Sequence, residues 1–287
     1  MPLRRPLVLT AIAMLAFAAN SVLCRLALHD GAIDAASFTA VRLVAGALTL
    51  VLILGIRQST WPRPLAHGNH RSALALFVYA AGFSLAYVQL ATGTGALLLF
   101  GTVQATMIGY GRYRGERLNR WQWVGLALAL AGLLALLLPG ATAPPVTAAL
   151  LMLLAGIGWG VYSLRGKGTA DATAETTGNF LRSLLWLAPL LIIAWPQHLP
   201  TGEGLLYALL SGALASGAGY AIWYLALPAL ATSTAATVQL SVPVLAALAG
   251  ILWLDESVTV RLVIASVAIL GGIALVIRGR LSAGENT

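Results

Sequence analysis

The chain has 287 residues, 59% of them hydrophobic and only 9% charged, well below the roughly 25% that keeps the surface of a soluble domain hydrated. Its formal charge of +8 comes from bases scattered through short linkers, which argues against a nucleic-acid footprint. The single cysteine, Cys24, excludes an intramolecular disulfide and a cysteine-based metal site.

Ten apolar segments fill most of the chain: 7–27, 36–56, 72–91, 95–113, 121–139, 147–165, 177–195, 204–226, 233–253 and 260–277. A helix needs roughly 17–25 apolar residues to cross the hydrocarbon core, and unpaired backbone groups are too costly in lipid for irregular segments. The expected fold is therefore an all-α membrane protein with ten transmembrane helices.

The first segment follows Arg4 and Arg5 and contains Ala16-Phe17-Ala18, which imitates a cleavable signal peptide. It is read instead as a retained helix, because the segment has a counterpart later in the chain. Asn20 is its central polar residue, with Ser21 beside it. The second segment carries Arg42. In the third, Tyr79 and Phe83 are four apart and share a helical face, as do Phe100 and Gln104 in the fourth. The fourth is followed by Glu116. Trp121 and Trp123 open the fifth segment, and with Trp61, Trp195 and Trp253 they suit the membrane interface.

The sixth segment clusters Trp159, Tyr162 and Ser163 among Gly156, Gly158 and Gly160. Small residues let membrane helices approach closely. The seventh holds Arg182 and Pro189. The eighth has Gly212, Ser216, Gly217 and Gly219 ahead of Tyr220, Trp223 and Tyr224. The ninth has Gln239 and Ser241 before Pro243. Pro189 and Pro243 each remove a backbone donor and are expected to kink their helices in mid-span.

A constant shift of 140 residues superposes one half of the chain on the other. It brings Arg25 onto Arg165, Arg42 onto Arg182, Thr92 and Thr94 onto Thr232 and Thr234, Glu116 onto Glu256 and Gly132 onto Gly272. The chain thus divides into residues 1–140 and 141–287, each a five-helix repeat. Because five is odd, the second repeat enters the membrane from the opposite side. The two are inverted about a pseudo-two-fold axis in the membrane plane, a plan that places a substrate site near the midplane between them. With the amino terminus cytoplasmic, 13 of the 17 Lys and Arg residues fall in cytoplasmic segments, so the positive-inside rule puts both termini in the cytoplasm.

Phe38-Thr39-Ala40-Val41-Arg42-Leu43, Gly115-Glu116-Arg117-Leu118, Trp159-Gly160-Val161-Tyr162, Gly219 to Leu227 and Gln239-Leu240-Ser241-Val242-Pro243, followed by Leu254-Asp255-Glu256, occur in this order. They resemble the ten-helix EamA-type branch of the drug/metabolite transporter superfamily, and within it amino-acid exporters of the YddG type. The sequence departs from that pattern at Val103, where the second half has Pro243, and at Phe100-Gly101. The resemblance implies a bacterial inner-membrane exporter of small metabolites.

No Asp, Glu, His or Lys lies well inside any segment. Proton relays usually rest on such residues, so uncoupled export is expected over a proton-coupled drug or metabolite exporter. Arg42 and Arg182 are expected to snorkel or to pair with loop acids such as Asp30, Asp34 or Glu175, leaving a neutral or zwitterionic substrate. Glu116 and Glu256 are expected to cap the helices that follow them. The expected substrate-binding set is Asn20, Tyr79, Phe83, Phe100, Gln104, Trp159, Tyr162, Ser163, Tyr220, Trp223 and Gln239, with a small solute such as an amino acid and the lipid bilayer as partners. No cofactor or metal, no catalytic residue and no nucleic acid is expected. A substrate-selective channel is the alternative from another class, and the sequence leaves the oligomeric state open.

Overall fold

A computed structural model describes residues 4–58, 63–115, 118–138, 143–166, 169–195, 199–226, 238–239 and 241–284. These residues form ten main helices and no strand. They are α1 (Arg4–His29), α2 (Ala35–Gln58), α3 (His70–Tyr87), α4 (Thr92–Tyr113) and α5 (Arg120–Leu137) in the first half. The second half has α6 (Val146–Gly166), α7 (Ala172–Ile193), α8 (Gly202–Ala226), α9 (Ser241–Leu254) and α10 (Val260–Gly284). A single 3-10 turn, Pro64–Ala66, lies between α2 and α3. The expected start of the ninth span, Glu116, Trp61, Thr232 and Thr234 lie outside the described residues.

Packing follows the inverted symmetry pair by pair. Helix α1 lies on α8 and α9, and its counterpart α6 lies on α3 and α4; α2 packs on α8 as α7 packs on α3. Helices α5 and α10 pair with each other, as do α4 and α9. Each half therefore buries its leading helix in the other half. Leu48, Leu52, Ile56, Leu134, Ile193 and Val267 stand out from the bundle, each more than 60% exposed. An apolar belt on that scale needs lipid against it. Trp121, Trp123, Trp195 and Trp253 are also exposed, as interfacial tryptophans should be.

Two helices are irregular, and in one of them the sequence shows why. In α7 a 3-10 turn occupies Leu184–Trp186, just before Pro189, which cannot donate to the carbonyl one turn back. In α8, Ser211–Ala218 form a π-helical stretch, a distortion that tends to occur at functional sites. Pro243 lies in α9 three residues after position 240, which is outside the described residues, with Val238 and Gln239 also helical, so the kink expected there falls on a stretch only partly described.

The expectation for Glu256 needs correcting. Asp255 adopts a left-handed φ of +50° at the end of α9 and turns Glu256 back, so that its N–H reaches the Gly250 carbonyl at 3.2 Å. The carboxylate then caps α4 of the opposite half rather than α10, which follows it. It accepts from the Thr92 N–H at 2.8 Å and from the Thr92 hydroxyl at 2.9 Å. Arg25 stands 3.6 Å away and donates to the carbonyls of Tyr87 and Val88 at the end of α3. This capping ends α3 at Tyr87 and starts α4 at Thr92, several residues from the boundaries that hydropathy predicts. Gly250 leaves space for the arrangement, since a Cβ there would lie 3.0 Å from that of Thr92.

Candidate functional site

Six of the eleven expected residues, Asn20, Tyr79, Phe83, Phe100, Trp159 and Tyr220, converge between the halves, on α1, α3, α4, α6 and α8. Phe17, Asn20, Ser21, Tyr79, Phe83, Leu99, Phe100, Trp159, Ala215 and Tyr220 line a central cavity of about 20 Å³. That is space for about one water molecule among the described residues. Trp159 is the hub, with ring centroids 4.8 Å from Tyr79, 5.0 Å from Tyr220 and 5.6 Å from Tyr162. Phe17 meets Trp159, Tyr220 and Trp223 edge-on at 6.4, 5.7 and 6.1 Å. Tilted and edge-to-face contacts of this kind suit aromatic quadrupoles.

Glycines set the position of Trp159. A Cβ on Gly158 would lie 2.9 Å from the Ala75 carbonyl and the Tyr79 nitrogen, and one on Gly160 would lie 2.9 Å from the Thr106 side chain. Helix α6 thus wedges between α3 and α4, carrying the indole between those two close approaches.

The π stretch of α8 sets the polar side. Bonding from i to i+5 brings Ser211 and Ser216, five residues apart, toward the same neighbours. Ser211 donates to Asn20 Oδ1 at 2.7 Å, and Asn20 Nδ2 points to the Tyr79 hydroxyl at 3.4 Å. Arg42 joins the same network. It donates through Nη2 to the Tyr79 hydroxyl at 2.9 Å and through Nε to Ser216 Oγ at 3.1 Å. Its guanidinium lies 5.1 and 5.0 Å from the ring centroids of Tyr79 and Phe83.

Arg42 is therefore the main correction to the sequence reading. It neither snorkels nor pairs with a loop acid, and it is only 1% exposed. The acids named for it are engaged elsewhere: Asp34 caps α2 through the Ala36 and Ser37 N–H groups, Asp30 meets His29, and Glu175 accepts from the Gly68 N–H. Helix α2 packs against α8 beside Arg42, so in this conformation the side chain is shut off from water. Among the described residues Arg182 finds no acid either. It donates to the carbonyls of His67 and Leu65 beside the Pro64–Ala66 turn.

Other expected residues lie apart from the cavity. Gln104 lines a narrow gap against α5 and α10 with Gly101 and Ile108. Ser163 returns its hydroxyl to the Trp159 carbonyl at 2.8 Å. Tyr162 touches Trp159, but its hydroxyl turns to Thr176 at 3.3 Å. Trp223 is buried behind Phe17, and Gln239 is half-buried and not among the residues lining the cavity. Sequence reasoning missed Phe17, Ser211 and Arg42 as members of the cluster. Phe17 lies three residues before Asn20 and so shares its helical face, a signal that was present. The π register that brings Ser211 and Ser216 together leaves no clear mark in sequence.

Ten helices in two inverted sets around an aromatic cavity define a polytopic membrane transporter. The chain belongs to the EamA-like transporter family, whose profile matches it twice, over residues 4–138 and 146–278. It is 59% identical over 281 residues to an uncharacterized protein of Pseudomonas aeruginosa, covering 98% of this chain and 97% of that one. It is 27% identical over 230 residues to an uncharacterized transporter of Bacillus subtilis, covering 77% and 76%. A solved crystal structure with 20% identity superposes with a TM-score of 0.68 over 94% of this chain and 96% of its own, a likeness of fold alone.

Proposed function

We propose that the chain exports small zwitterionic or neutral metabolites, amino acids foremost, in the manner of YddG-type carriers. Transport proceeds by alternating access between repeats 1–140 and 141–287, in a bacterial inner membrane with both termini cytoplasmic. The observation that carries this reading is the Trp159-centred cavity at the interface of the halves. Aromatic walls accept apolar side chains of varied shape, and Asn20 with its neighbouring hydroxyls supplies a polar end. None of the described carboxylates reaches the cavity, which favours uncoupled transport over proton exchange.

The test is uptake of labelled amino acids into proteoliposomes holding the purified full chain, with and without a proton gradient. Saturable, trans-stimulated uptake of several amino acids, indifferent to the gradient, is the expected result. Non-saturable flux would replace the carrier with a channel, and gradient-driven accumulation would overturn uncoupled transport.

A further inference from the structure

We infer that Arg42 is the anchor for a carboxylate on the transported solute, so that the site selects acids and zwitterions over amines and amides of the same shape. This rests on the central cavity being the transport site. The guanidinium is 1% exposed, and its only polar partners among the described residues are the hydroxyls of Tyr79 and Ser216. Both are neutral, and the described ion pairs are Arg25–Glu256, His29–Asp30 and Arg57–Asp171. A buried charge without a counter-charge is destabilising, the rings of Tyr79 and Phe83 offset only part of that cost, and an ionisable residue within a membrane span points to function.

Two donors mark where that partner would bind. Arg42 Nη1 is buried and unbonded, and so is the hydroxyl of Tyr220, a residue that lines the cavity. Tyr79 links the two groups. It accepts from Arg42, and its ring packs on Trp159, as does that of Tyr220. An arginine fork matches a carboxylate with two parallel N–H···O bonds, and the phenol offers a further O–H. The solute would place its carboxylate toward α2 and its apolar side chain against Trp159 and Phe17. The free edge of the fork lies beside Tyr79 and Phe83, which line the cavity although Arg42 itself does not.

The test uses purified full-length protein and three probes of one shape, namely L-phenylalanine, its primary amide and phenethylamine. Binding is read as the ligand-induced rise in melting temperature, and transport is read separately by uptake in proteoliposomes. The wild-type protein should bind the acid at least tenfold more tightly than the amide or the amine. Arg42→Gln should remove that preference, Arg42→Lys should restore part of it, and Tyr220→Phe should weaken acid binding alone. Equal binding of all three probes by the wild-type protein would overturn the inference, as would binding of none or an undiminished acid preference in Tyr220→Phe and Arg42→Gln. Should Arg42→Gln fail to fold, the wild-type comparison and Tyr220→Phe still decide. Acid-selective binding without uptake would refute export and leave the anchor standing. Uptake of amide and acid alike would do the reverse.

Discussion

Trp159 combines position and chemistry in one side chain. Held by close helix approaches on either side, it contacts Tyr79, Tyr162, Tyr220 and Phe17. Trp159→Ala should lower transport at least tenfold while the protein still inserts and remains folded in detergent, as read by uptake and size-exclusion profile. Trp159→Phe should retain part of the activity, because an aromatic wall persists. Asn20 makes a different kind of contribution. Its amide oxygen is the acceptor for buried Ser211, and leaving such a hydroxyl unsatisfied costs about 1–3 kcal/mol. Asn20→Leu should therefore lower thermal stability by that order, and Ser211→Ala combined with it should recover part of the loss.

At the scale of elements, polar residues lock the two halves at both ends. On one side, Asp171, Glu175, Asn179 and Arg182 form a stripe along α7 and its entry. They reach Arg57, the Gly68 and Asn69 N–H groups and the loop carbonyls before α3. Partial burial would raise the Asp171 carboxyl, but the Ala174 N–H and Arg57 outweigh it and hold the group below its ordinary value of 3.8. A lowered carboxyl stabilises the fold above its unfolded pKa and loses that contribution as pH falls through the folded one. The clasp should accordingly persist at neutral pH and weaken only below 3.8, and Asp171→Asn should flatten that acid limb in a melting-temperature profile. On the other side, Glu256 caps α4 across the halves. Glu256→Ala should cost about 0.5–2 kcal/mol, the range for a lost cap, with faster hydrogen exchange at Thr92 and Gly93.

Hydropathy located the described ends of the ten spans to within seven residues, because lipid imposes their length and helicity. The aromatic set was legible for a related reason: Trp and Tyr away from the interface need partners, and Trp159 and Tyr220 duly lie together. Arg42 was not legible, since near a helix end a snorkelling arginine and a buried one read alike in sequence. Its fate was decided by α8 packing over α2. Gln104 illustrates the opposite error. It is one turn from Phe100, yet helix α4 faces the cavity at Phe100 and α5 at Gln104, so a shared stripe did not mean a shared site.

For the whole molecule, the inverted arrangement makes a prediction that does not depend on the solute. Tags on residues 1 and 287 should be reachable from the same side of the membrane, the cytoplasm, in spheroplasts labelled before and after permeabilisation. Labelling of one terminus from outside would break the odd-helix plan. The interlocking of the halves also bears on biogenesis. Asn20 waits for Ser211, 191 residues downstream, and Arg42 for Ser216, 174 residues downstream. Helices α1 and α2 thus leave the ribosome with part of their polar groups unmatched, since within the first half only the Tyr79 hydroxyl on α3 reaches them and the serine partners come with α8. A fragment of residues 1–140 synthesised alone should be degraded rapidly. Supplying residues 141–287 as a second polypeptide should rescue it, because the missing hydroxyls arrive on that piece.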